Sequence, residues 1–163
     1  MTVRLLVFAA LVAFCIDQVS KYVVVFHMDL ARVGAIDVLP PMLNFRYGEN
    51  RGINFGLFGG GSDASRWALI ALALVICCGV LAWVIRTPMG AWARASAGML
   101  IGGALANVFD RVLYGFVLDF LNMSCCGINN PFVFNLADVF IFAGALGLVI
   151  FAPDKQAVTE KGE

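Results

Sequence analysis

Residues 67–85 contain no charged side chain, and at about 1.5 Å of helical rise per residue they can cross a hydrocarbon layer. Inside such a layer every backbone N–H and C=O must find its partner within the segment, which leaves a helix as the workable form. Residues 4–26, 92–114 and 133–151 are three further runs of this kind. They differ from the first in the polar residues they carry. The 4–26 run holds Asp17, Gln18, Ser20 and Lys21, then resumes as Tyr22 to Phe26. The 92–114 run meets Asp110 and Arg111 near its end, and the 133–151 run meets Asn135 and Asp138 near its start. The expected fold is an integral membrane, mainly α protein with four transmembrane helices.

Composition agrees. The chain is 61% hydrophobic and 13% charged, with a mean hydropathy of +0.90. That charged fraction is about half of the roughly 25% usual in soluble domains. Eleven basic and eleven acidic residues cancel, so charge offers nothing to a nucleic acid. The first run is expected to be retained rather than cleaved as a leader, because Asp17 and Lys21 follow it and no A-x-A-like site appears. One domain over residues 1–152 is expected, followed by a polar cytoplasmic tail at 153–163. Of the five cysteines, Cys15, Cys77 and Cys78 sit in apolar runs and read as small core residues. Cys125 and Cys126 lack metal-ligand spacing and read as incidental or as a disulfide partner in some state.

Four spans put both termini on one side. The N-terminus, the 86–94 turn and the tail carry Arg4, Arg86, Arg94, Lys155 and Lys161, while residues 115–131 carry no basic residue. The positive-inside bias favours cytoplasmic termini. Residues 27–66 then lie outside, and they are patterned. Leu43, Phe45 and Tyr47 alternate with Met42, Asn44 and Arg46, and Ile53, Phe55 and Leu57 alternate after a Gly-Glu-Asn-Arg-Gly stretch. This predicts an extracytoplasmic β-hairpin or small sheet over about 36–60, turning at 48–52, between the first and second helices.

With that topology the unusual polar residues gather at one depth. Asp17 and Lys21 lie late in the first span, Asn107, Asp110 and Arg111 late in the third, and Asn135 and Asp138 early in the fourth. Asp119 follows the third span directly. Gly103, Asn107, Asp110 and Arg111 share a helix face, and Gly98, Gly102 and Gly103 admit a close neighbour. Asp17 and Lys21, four apart, form a neutralising pair, and Asp110 is expected to pair with Arg111. Those pairings leave Asp119 and Asp138 without a local base. Two such carboxylates brought together cannot both ionise readily, so they share a proton. That is what water-mediated peptide hydrolysis requires: one carboxylate accepts a proton from water while the other donates to the carbonyl oxygen.

Other chemistries fit less well. His27 is the sole histidine, lies at an interface and has no serine or cysteine motif beside it. No metal site and no cofactor are expected. A small proton-coupled transporter is the alternative from another class, but it calls for polar residues along the full helix depth. A non-catalytic assembly factor would use the same residues only to hold helices together.

The residues taken together resemble the lipoprotein signal peptidase family (signal peptidase II). The resemblance runs from Asp17 to about Phe151. It rests on Asp17-Gln-Val-Ser-Lys21, Asn50-Arg-Gly52-Ile-Asn54-Phe55-Gly56, Gly102-Gly-Ala-Leu-Ala-Asn107-Val-Phe-Asp110-Arg111, Gly115-Phe-Val117-Leu-Asp119-Phe120 and Phe134-Asn135-Leu-Ala137-Asp138. It implies a membrane aspartic endopeptidase of the bacterial inner membrane, working near the extracytoplasmic face, with Asp119 and Asp138 catalytic. Asn107, Asp110, Arg111, Asn135, Asn50, Gly52, Asp17 and Lys21 would bind substrate or support the pair. The implied substrates are diacylglyceryl-modified prolipoproteins, cut just before the lipidated cysteine, with membrane lipid as surroundings, a monomer as the working unit and globomycin as inhibitor. Asn54 stands where the family usually has alanine, and Ala106 where it often has glycine.

Overall fold

The structure is a computed structural model of the 163-residue chain, and it describes residues 2–52, 63–127 and 130–152. Helix α1, Thr2–Lys21, runs without a break into a π-helix, Tyr22–His27. Asp29, in the left-handed region at φ 58°, opens the single-turn α2, Leu30–Val33, and Gly34 at φ 76° closes it. Strands β1, Ala35–Leu39, and β2, Leu43–Asn50, follow. Helix α3 spans Asp63–Arg86 and α4 spans Ala91–Tyr114. Gly115, at φ 86°, ends α4 by donating its N–H to Arg111 O at 3.1 Å. Strand β3, Val117–Asn122, and helix α5, Leu136–Phe151, complete the order.

Helix α4 is the axis of the bundle. Ala93, Ala97, Ala104 and Ala106 are fully or nearly buried along it, and small residues let its neighbours come close. A side chain on Gly98 or Gly102 would collide with the α1 backbone at Leu6 O or Ala10 O, and one on Gly103 would stand 2.5 Å from Ala137 O of α5. The outward faces of α1, α3 and α5 are apolar: Phe8, Leu72, Val75, Phe142 and Val149 are all exposed. Surfaces of this kind suit hydrocarbon rather than water. Among the described residues two helices, Val3–His27 and Asp63–Arg86, are long and apolar enough to cross a membrane, while Leu136–Phe151 is apolar but shorter.

The strands form one antiparallel sheet in the order β1-β2-β3. The hairpin differs from its expected position. It turns through residues 40–42, and Gly48, Glu49 and Asn50 continue β2 as strand, paired with Asp119, Leu118 and Val117 of β3. The expected second arm at 53–57, with Asn54, and the tail at 153–163 lie outside the described residues. Strand β3 falls where a plain connection was expected. One of its faces packs Leu118 and Phe120 against Val24, Val25 and Leu30. Alternation along the strand then turns Asp119 the other way, toward α4 and α5.

Candidate active site

Asp138 sits in the first turn of α5, where the capping pattern fixes it. Asn135 is the N-cap: its Oδ1 accepts the Asp138 N–H at 2.9 Å, and Asp138 Oδ2 accepts the Asn135 N–H at 3.4 Å. This reciprocal box satisfies two backbone donors at the helix start and holds the Asp138 side chain back over the N-terminus. Asn107 of α4 donates to Asp138 Oδ1 at 2.9 Å.

Asp119 is only 3% exposed on β3. Asn135 Nδ2 donates to its Oδ1 at 2.6 Å, and the Asn50 side chain, at the end of β2, also hydrogen-bonds it. Asn135 Nδ2 additionally approaches Asn107 Oδ1 at 3.3 Å and Leu118 O at 3.4 Å. One asparagine thus touches both carboxylates: Asp119 through its side-chain amide nitrogen, Asp138 through its backbone N–H. Burial first, and then the neighbouring Asp138 carboxylate, push Asp119 up from the ordinary 3.8 to about 6; the Asn135 and Asn50 hydrogen bonds and the Lys21 ammonium oppose this. Neither carboxylate has an ion-pair partner within 4.0 Å among the described residues.

A second polar cluster lies behind the first. Lys21 Nζ stands 2.7 Å from Asp17 Oδ2 and 2.7 Å from Asp110 Oδ2, with Asn107 Oδ1 at 3.5 Å. Lys21 is 2% exposed and both acids are fully buried. Asp17 Oδ1 accepts the Ala137 N–H at 2.8 Å, and Asp110 Oδ2 accepts the Leu118 N–H at 3.1 Å. The expected Asp17–Lys21 pair is present. The expected Asp110–Arg111 pair is not: adjacent helical residues point to different sides, so Asp110 turns to Lys21 while Arg111 Nη1 donates to Asn107 O at 3.3 Å. Arg111 lies within electrostatic reach of Asp138, Asp110 and Asp119. The two aspartates are therefore less isolated from basic groups than the sequence suggested. Gly52, at φ 90°, follows the site; its N–H is taken by Asn50 Oδ1 at 3.1 Å, which fixes the asparagine beside Asp119.

Comparison with known proteins identifies the family. The family model for signal peptidase (SPase) II matches residues 9–152. The chain belongs to the signal peptidase II family. It is 37% identical to a lipoprotein signal peptidase of Sphingopyxis alaskensis over 144 residues, covering 88% of this chain and 82% of that one. It is 37% identical to another from Rhodopseudomonas palustris over 150 residues, covering 90% of each. A solved bacterial membrane enzyme superposes with a TM-score of 0.76 at 26% identity, covering 89% of this chain and 90% of that one. The family is one of membrane peptidases, and the transporter alternative finds no support.

Within this signal peptidase II fold the structure brings nine of the ten residues singled out from the sequence into one hydrogen-bonded or electrostatic network, with Gly52 at its edge. Gln18 was not among them. Its Nε2 donates to Asp110 Oδ1 at 2.9 Å and to Asp17 Oδ2 at 3.2 Å, tying the two acids together. The signal was present: an amide inside an apolar run, beside Asp17. The cysteines divide differently from expectation. Cys77 is buried, but Cys15 and Cys78 are exposed on the outer faces of their helices, and all five are free.

Proposed function

We propose that this chain is a membrane-embedded aspartic endopeptidase that removes signal peptides from diacylglyceryl-modified prolipoproteins, using water activated by Asp119 and Asp138. The observation that carries the reading is the bridge through Asn135, which hydrogen-bonds Asp119 and caps Asp138 in one polar cluster. A buried carboxylate raised to about 6 beside a second acid is poised to share a proton with it. Water held between them loses a proton to the ionised member as it attacks the scissile carbonyl. The protonated member donates to the carbonyl oxygen, and the resulting tetrahedral species collapses with protonation of the leaving amine. No covalent acyl-enzyme forms.

The proposed topology has four spans in a single domain over residues 1–152, with both termini and the 153–163 tail cytoplasmic. The site then lies near the extracytoplasmic face of the inner membrane, and the working unit is a monomer. A substrate anchored by its signal helix and two acyl chains diffuses in the bilayer to that depth. The polar residues of the site lie at one end of α1 and α4 and at the start of α5, in keeping with an interfacial site.

The test uses purified protein in detergent and a precursor with and without its diacylglyceryl group. Cleavage just before the cysteine of the lipidated form alone, blocked by globomycin, supports the reading. Equal cleavage of the unlipidated form overturns the substrate class.

A further inference from the structure

We propose that Lys21 is a positioning residue that sets the two catalytic carboxylates relative to each other; the inference rests on the Asp119–Asp138 reading. The geometry is a paired one. Asp17 Oδ1 holds the N–H of Ala137, the residue before Asp138, and Asp110 Oδ2 holds the N–H of Leu118, the residue before Asp119. These carboxylates come from different helices, α1 and α4, and a single ammonium joins them at 2.7 Å on each side. The chain of contacts runs from the peptide preceding Asp138, through Asp17, Lys21 and Asp110, to the peptide preceding Asp119. It links α5 to β3 through the bundle rather than through the loop between them.

The network does more than neutralise buried charge. Pairing one ammonium needs one acid, yet two fully buried acids from different helices converge on it. Each acid also has a task that an uncharged side chain could perform, since the amide oxygen of asparagine also accepts a peptide N–H. What the ammonium adds is the fixed distance between the two acceptors. A displacement of about 1 Å in a reacting group can cost on the order of 100-fold in rate.

The experiment measures turnover of the lipidated precursor and thermal stability in detergent for Lys21→Met, for the triple variant Asp17→Asn/Lys21→Met/Asp110→Asn, and for Asp119→Asn as control. The triple variant removes all three charges while keeping an acceptor oxygen for each peptide N–H. Positioning through Lys21 predicts that the triple variant melts near the wild type, yet has kcat about 100-fold lower, with KM unchanged to about twofold. Its kcat/KM profile also shifts to higher pH, because Lys21 holds the Asp119 carboxyl down. Wild-type kcat and an unmoved profile in the triple variant overturn the proposal, even if Lys21→Met alone fails to fold. Full activity in Asp119→Asn overturns the dyad reading instead.

Discussion

Asn135 Nδ2 lies 2.6 Å from Asp119 Oδ1, across a gap of sixteen residues and between a helix cap and a strand. The same side chain caps α5, so the start of that helix and the placement of Asp119 depend on one residue. Asn135→Ala removes both roles. Loss of an N-cap costs about 0.5–2 kcal/mol, and the melting temperature should fall accordingly. Asn135→Asp keeps the cap oxygen but puts a further acceptor against Asp119. It should melt closer to the wild type than the alanine variant and still lose turnover. Thermal melts alongside precursor cleavage separate the two effects, and an active Asn135→Asp enzyme would argue against the bridge.

Asp119 should make the protein less stable as pH rises. Its folded value of about 6 exceeds the ordinary 3.8, so between these values the folded state binds more protons than the unfolded one. Stability therefore falls as pH climbs from about 4 to 6 and stays lower above that, by about 3 kcal/mol when fully expressed. Asp119→Asn removes this penalty and should melt higher than the wild type at neutral pH, with a flatter profile between pH 4 and 6. Stability gained where activity is lost is the expected mark of a functional carboxylate. Thermal melts across that range check it.

The shared proton also shapes activity. Loss of that proton from the free enzyme should bring kcat/KM down above about pH 6, the value to which burial and Asp138 raise Asp119. A profile flat from pH 5 to 8, measured below saturation, would contradict a proton-sharing pair.

Gly103 separates packing from chemistry. A methyl group there would stand 2.5 Å from Ala137 O, one residue from Asp138. Gly103→Ala should push α5 off α4 and cost about 1–3 kcal/mol, as overpacking does. Gly79→Ala, on α3, meets nothing within 4 Å and serves as control. The first variant should lose both stability and turnover, and the second neither.

The helices were legible because long, mostly apolar runs favour a continuous helix, and their expected limits lie within a few residues of those observed. Strand β3 was not. Val117, Leu118, Asp119 and Phe120 are buried on both faces, so the strand has no alternation of apolar and polar residues to betray it. A turn was expected at 48–52 because Gly-Glu-Asn-Arg-Gly reads as one, whereas pairing with β3 carries Gly48 to Asn50 onward as strand. The site residues stood out as polar groups in apolar surroundings, but their partners did not. Asp17 reaches Ala137 across 120 residues, a contact that helical spacing cannot predict. Local spacing also suggested Asp110–Arg111, where tertiary packing supplied Lys21.

The most direct test of the central claim is cleavage of a diacylglyceryl-modified precursor by Asp138→Asn and Asp119→Asn enzymes, each first verified as folded by its thermal melt. Asparagine keeps the size of each side chain and an acceptor oxygen but cannot exchange the catalytic proton. Both variants should remain folded, and neither should release signal peptide above the uncatalysed background. Wild-type turnover in either one would contradict the claim.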